Sequence, residues 1–134
     1  MSTAKRRRAY GFGLRAEALA ALWLRLKGWR ILDRRFRSGA GEIDLIVRRG
    51  GVVAFVEVKA RPDPAAAEAA LTEHQRRRTL QAAQIWIGRH AARLAPDSDL
   101  SFRLDVMLVV PGRLPRHIAG AWEIASAETA RKGW

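Results

Sequence analysis

Two short apolar stretches carry charge in their interiors. One is Gly41-Glu42-Ile43-Asp44-Leu45-Ile46-Val47; the other, beyond a glycine pair, is Val53-Ala54-Phe55-Val56-Glu57-Val58-Lys59. Buried charge is costly unless it is paired or holds a metal. Asp44 and Glu57 on adjacent strands offer hard oxygen ligands suited to Mg²⁺ or Mn²⁺, and the main-chain carbonyl of Val58 can add another. Lys59 adds a donor that orients or deprotonates a water, or offsets developing negative charge. Charge neutralisation, an activated water and a positioned substrate are what phosphodiester hydrolysis needs. The competing reading is a structural ion-pair network, but two acids and a lysine inside strand formers make a poor structural device.

The elements around these residues fix how they meet. Gly50-Gly51 suits a two-residue hairpin loop between strands over 42–48 and 52–59. Counting back from it sets Arg49 opposite Val52, Val47 opposite Ala54, Asp44 opposite Glu57 and Glu42 opposite Lys59. All four charged residues then share one face. Directly opposed carboxylates about 5 Å apart repel, so they need a cation between them or a raised pKa. Glu42 is expected to pair with Lys59 behind the site.

The rest of the chain reads as follows. Leu14, Ala18, Leu22 and Leu26, with Ala21 beside them, predict an amphipathic helix over 13–27, ended by Gly28. Glu17 on that helix is a further metal-ligand candidate. Residues 29–36 predict a strand, and 61–70 a loop or short helical turn. Thr72-Glu73-His74-Gln75 is a capping box opening a long helix with Leu80, Ala83, Ile87, Ala91 and Leu94 as its apolar stripe. Capping is the expected role of Gln75, with a supporting place near the site. Residues 101–110 alternate, with Arg103 and Asp105 opposite the apolar face. A weaker strand is expected over 117–124. Trp23, Trp29 and Trp86 are expected in the core, with His74, His90 and His117 on the surface.

Residues 1–10 are read as a basic, flexible arm, 11–125 as one domain and 126–134 as a tail. The chain carries 25 basic and 13 acidic residues, a net charge of +12. Such a chain attracts polyanions, nucleic acid above all. Arg6, Arg7 and Arg8, then Arg61, then Arg76, Arg77 and Arg78 are the expected phosphate contacts, without sequence readout. Arginine outnumbers lysine 21 to 4, part of which is compositional bias. It makes the lysine at position 59 conspicuous, because a lysine pKa shifts on burial and arginine cannot deprotonate. Absence of cysteine excludes disulfides and thiolate metal sites. Arg15, Glu17 and Arg25 interrupt any signal or membrane-spanning segment, so a cytoplasmic protein without membrane contact is expected.

The motifs together resemble the PD-(D/E)xK nuclease superfamily and, more specifically, the bacterial YraN family. The resemblance spans roughly 10–120. It rests on Gly13, Ala16-Glu17, Gly41-Glu42-Ile43-Asp44-Leu45-Ile46, Phe55-Val56-Glu57-Val58-Lys59 with Arg61, Ala82-Ala83 and Arg103-Leu104-Asp105-Val106. It implies a three-layer α/β restriction-endonuclease-like fold, a mixed central sheet in an α-β-β-β-α-β core, with Asp44, Glu57 and Lys59 in the catalytic positions. Gln75 stands where relatives usually carry lysine, and Leu104 where they carry phenylalanine. The implied activity is Mg²⁺-dependent cleavage of DNA, branched or structured DNA included; a resolvase-like role would imply a homodimer. The alternatives are a non-catalytic nucleic-acid-binding protein of the same fold and an adaptor that meets an acidic protein.

Overall fold

The computed structural model describes residues 3–70, 72–94 and 99–122, with side chains from 15 to 120 except 68, 71 and 95–98. Its elements are α1 (Thr3–Leu26), β1 (Arg30–Arg37), β2 (Glu42–Arg49), β3 (Val52–Ala60), α2 (Pro64–Ala69), α3 (Glu73–Leu94), β4 (Ser101–Val109) and β5 (Arg116–Trp122). The five strands form one open sheet in chain order. All neighbours are antiparallel except β3 and β4, which run parallel. A parallel pair needs a crossover, and α2 with α3 supplies it.

Strand β3 is apolar on both faces because both are covered. Phe55 packs with Leu80, Ala83 and Trp86 of α3. Ala54 and Val56 pack with Ala16, Ala20 and Leu24 of α1 on the opposite face. Alternation along one strand thus splits the core into two halves. Among the described residues no helix is long and apolar enough to cross a membrane.

The ends of α1 and α3 follow from their residues. Gly28, at φ 89°, closes α1: its amide donates to Arg25 O at 3.0 Å and that of Trp29 to Leu24 O at 3.0 Å. This is the paired bonding of a left-handed glycine terminator. Thr72 Oγ1 accepts the Gln75 amide at 3.1 Å and caps α3.

The structure corrects the expected helix faces. Helix α1 starts at Thr3, ten residues before the expected start, so the stretch read as an arm continues the helix. Its buried stripe is Ala16, Ala20, Ala21 and Leu24, while Leu22 is 52% and Leu26 73% exposed and Ala18 also faces outward. Small side chains let the helix lie close to the sheet; hydropathy alone ranks leucine above alanine and selects the wrong face. Along α3, Ala82 and Trp86 are buried and Ala91 is exposed. Trp86 rotates the stripe: it packs edge-on to Phe55 at 5.7 Å and donates to Asp33 Oδ2 at 3.1 Å. The expected tail from 126 and the side chains of Leu14, Trp122 and Trp134 lie outside the described residues.

On β4, Asp105 is fully buried and fully partnered. It accepts from Arg103 Nε at 2.9 Å and Nη2 at 3.1 Å, and from the Gly120 amide at 2.8 Å. His117 Nε2 lies 2.6 Å from Oδ2, the oxygen that also accepts from Arg103 Nη2. His117 is therefore no surface histidine; its ring also meets Trp29 edge-on at 6.1 Å. Arg49 and Arg103 lie over the indole of Trp29 at 4.5 and 5.3 Å. Removing one partner from a buried network strands the others. Asp105→Ala is expected to cost about 3–5 kcal/mol in urea unfolding; a loss under about 1 kcal/mol would show that the network is not holding β4 to β5.

Candidate active site

The β2–β3 register matches the expected one from Arg49↔Val52 to Leu45↔Val56. Asp44 comes next, and there regular pairing lapses on both sides of β2. Toward β1, pairing passes from Arg34↔Leu45 to Phe36↔Ile43 and omits Arg35 and Asp44. Arg35 has φ 49°, the left-handed region that side chains other than glycine enter at a cost of about 1–3 kcal/mol. Toward β3, the Asp44 carboxylate takes the Val58 amide hydrogen at 2.7 Å. A side chain thus stands where a strand carbonyl would, and Asp44 is held where the β2–β3 ladder ends, while the β1–β2 ladder skips one pair and resumes at Phe36↔Ile43.

Glu57 and Lys59 follow on β3, each 8% exposed. Lys59 Nζ reaches Glu57 Oε1 at 3.4 Å, whereas Glu57 Oε2 is buried with no hydrogen-bond partner among the described residues. Burial raises the pKa of Asp44 to about 8; the Glu57 charge adds to the rise, and the Val58 amide opposes it. The Glu57 pKa is also raised, by burial first, with Lys59 opposing. Two desolvated carboxyls, one with an orphan oxygen, share a single ammonium, so without a further cation their repulsion is relieved by protonation. The donor set therefore fits a divalent ion, which would satisfy the free oxygen and relieve the repulsion. Among the described residues no three His, Cys, Asp or Glu side chains gather as one metal-binding group.

A cleft of about 210 Å³ opens over the pair, lined by Glu42, Asp44, Glu57, Gln75 and Arg78. Its α3 wall depends on Gly41. A Cβ there would lie 2.8 Å from Arg78 O and 3.2 Å from Arg78 C, so only glycine lets the β1–β2 turn meet the helix backbone so closely.

The structure brings together some expected residues and separates others. Asp44, Glu57 and Lys59 converge as expected. Glu42 does not pair with Lys59. It meets Arg37, opposite it on β1, at 3.6 Å, because the β2–β3 ladder has ended before Glu42 is reached. The main-chain amide of Gln75 is capped by Thr72 rather than capping in turn, and Gln75 lines the cleft. Glu17 shares a second cleft with Asp44 but is held by Arg35 Nε at 2.9 Å. Of the arginine run, Arg76 and Arg77 turn to Glu73 at 3.1 and 3.7 Å; Arg78 alone lines the acidic cleft. Arg61 donates to Ala60 O at 2.8 Å. The side chains of Arg6, Arg7 and Arg8 lie outside the described residues. Arg34 and Arg35, which line the second cleft, were not marked by any sequence motif. A positive φ at an arginine inside a strand leaves no trace in residue type.

Comparison with known proteins places this geometry. A family model described as "Uncharacterised protein family UPF0102" matches residues 16–109. The chain belongs to the UPF0102 family. UPF0102 is the YraN family, so the resemblance carried by the Gly-Glu-Ile-Asp-Leu and Phe-Val-Glu-Val-Lys motifs holds. The chain is 54% identical over 114 residues to a UPF0102 protein of Parvibaculum lavamentivorans, covering 85% of this chain and 83% of the relative. It is 52% identical over 121 residues to one of Methylorubrum populi, covering 90% and 94%. A third, of Nitrobacter winogradskyi, is 46% identical over 119 residues, covering 88% and 97%. The UPF0102 match includes Glu17, Asp44, Glu57, Lys59, Gln75 and Arg78, and so the whole cleft.

Two outcomes follow for this UPF0102 chain. Gly41→Ala is expected to cost about 1–3 kcal/mol of stability, as overpacking does, because backbone rather than a flexible side-chain tip must give way; an unchanged denaturation midpoint would refute the close approach. The second concerns pH. A carboxyl whose folded pKa lies above its unfolded value binds more protons when folded. In EDTA the Asp44 contribution to stability is therefore fully present below its ordinary value of 3.8 and is lost as pH rises toward about 8. Asp44→Asn should flatten that decline and melt above wild type at pH 8. Parallel pH profiles for the two proteins would contradict the assigned burial.

Proposed function

We propose that this UPF0102 chain is a divalent-metal-dependent endonuclease of restriction-endonuclease-like fold, which hydrolyses phosphodiester bonds of DNA. The observation that carries this reading is the buried, unpartnered Oε2 of Glu57 beside a second carboxyl that burial and repulsion hold protonated near neutrality. A structural network would close its own valences, as that of Asp105 does. The mixed sheet flanked by helices supports the fold assignment, and the charge of +12 supports a polyanionic substrate.

Asp44, Glu57 and the Val58 carbonyl would hold Mg²⁺ or Mn²⁺. The ion would neutralise phosphate charge and acidify a bound water. Hydrolysis joins the water oxygen to phosphorus and breaks the bond from phosphorus to the leaving sugar oxygen. The water yields a proton and the leaving oxygen gains one. Lys59, tethered to Glu57 and nearly buried, is placed to donate to the attacking water and offset charge growing on the phosphate. Gln75 and Arg78 face the carboxyls across the cleft and would orient the phosphate. A guanidinium matches phosphate oxygens in a two-pronged contact.

Calorimetric titration of Mn²⁺ and Mg²⁺ into wild type and Asp44→Ala, with cleavage of linear and branched DNA followed in the same samples, tests the reading. Wild type is expected to bind metal and cut, and Asp44→Ala to do neither. Lys59→Ala should keep metal binding within a few-fold while cleavage drops about 10²–10⁴-fold, the range for losing a proton-transfer group. Failure of wild type to bind metal even with DNA present would refute the reading and favour a non-catalytic nucleic-acid binder.

A further inference from the structure

Asp44 lines two clefts. Besides the acidic one under α3, a second of about 300 Å³ lies toward α1, lined by Glu17, Ala18, Arg34, Arg35, Asp44 and Leu45. Two consecutive residues of each strand line it, Arg34 with Arg35 on β1 and Asp44 with Leu45 on β2, and the backbone of Arg35 is left-handed there. Arg35 is committed to Glu17 at 2.9 Å. Arg34 is exposed, and its guanidinium has no partner among the described residues. The small side chain of Ala18 leaves the cavity open to solvent.

We propose that this second cleft is a phosphate-binding subsite. In it Arg34 grips the phosphodiester next to the one that is cut, and Arg35, pinned by Glu17, is the positioning residue that keeps Arg34 in the cavity. The inference rests on the nuclease reading, and it adds the path of the strand. The backbone runs along the α1 side of β1 and reaches the carboxyls from there, because Asp44 is the wall the two clefts share. A free guanidinium is a fork of N–H donors with no acceptor, suited to the non-bridging oxygens of a phosphate. The lining sets two guanidiniums against the carboxyls of Glu17 and Asp44; with a divalent ion held at Asp44, as the nuclease reading requires, the cleft attracts an anion. The local strain at Arg35 belongs to the same arrangement, since strained residues cluster where a side chain must be aimed.

The test is binding of a fluorescein-labelled DNA, single-stranded and duplex, followed by anisotropy across a salt series with Ca²⁺ replacing Mg²⁺ so that binding is read apart from cleavage. Each phosphate contact contributes about one to the slope of log K against log salt. Arg34→Ala is expected to lower the slope by about one on every sequence, and Arg34→Lys to restore it. Arg93→Ala, on the last turn of α3, should leave it unchanged. Mn²⁺ titration of Arg34→Ala should match wild type, which separates loss of the subsite from loss of the metal site. A wild type that binds DNA with the same slope as Arg34→Ala would overturn the subsite and leave the nuclease reading standing. Wild type that binds metal but no DNA at low salt would overturn both.

Discussion

The carboxylate of Asp44 occupies the place of a strand carbonyl, and the organisation around it follows from that substitution. By taking the Val58 amide at 2.7 Å it ends the β2–β3 ladder while keeping the strands tied together. Glu57 and Lys59 then lie past the last residue paired to β2 while staying in register with β4, opposite Val106 and Leu108. On the other flank the same gap is accommodated by the left-handed backbone of Arg35. A strand paired on both sides along its length would have no opening for a ligand in its plane. This one has an opening at the position of its acid.

Asp105 shows what a merely structural buried carboxylate looks like in this sheet. It is bound by a guanidinium through two contacts, by an imidazole and by an amide, and these bonds hold its pKa below the ordinary value although burial acts against them. Asp44 and Glu57 lie in a comparable interior with one strong amide contact and one long ammonium contact between them, and their pKa values rise. The same chain thus closes one acid network and leaves the other open. The open one is therefore better read as a site awaiting a ligand than as incidental packing.

Much of this was legible in the sequence. Alternation and the glycine pair were enough to fix the β2–β3 register, since a one-residue slip would reverse every buried side chain. That register correctly brings Asp44 beside Glu57. It fails at Glu42, because a register extrapolates a ladder and cannot see where a side chain ends it. The buried face of α1 was misread for a related reason: close approach to a sheet favours alanine, whereas hydropathy favours leucine. His117, Arg34 and Arg35 were missed because their roles arise from contacts far apart in the chain or from a backbone angle. Gly41 was read as part of a motif, but its reason, the 2.8 Å approach to the Arg78 carbonyl, exists only once α3 is in place.

The distribution of cations completes the argument. Arginine serves where a flat, permanent charge is wanted. Arg49 and Arg103 cover Trp29, Arg103 also forks onto Asp105, and Arg35 braces Glu17. Lysine appears in the described site once, at Lys59, a compact ammonium that is nearly buried beside Glu57. The arginines that remain open to solvent at the clefts, Arg34 and Arg78, stand on opposite sides of Asp44. Under the proposed nuclease reading, negative charge concentrated at the strand ends and positive charge set at the rims would draw in a polyanion and deliver one of its phosphates to a metal. A uniformly basic surface would bind the polyanion without choosing where on the protein it lies.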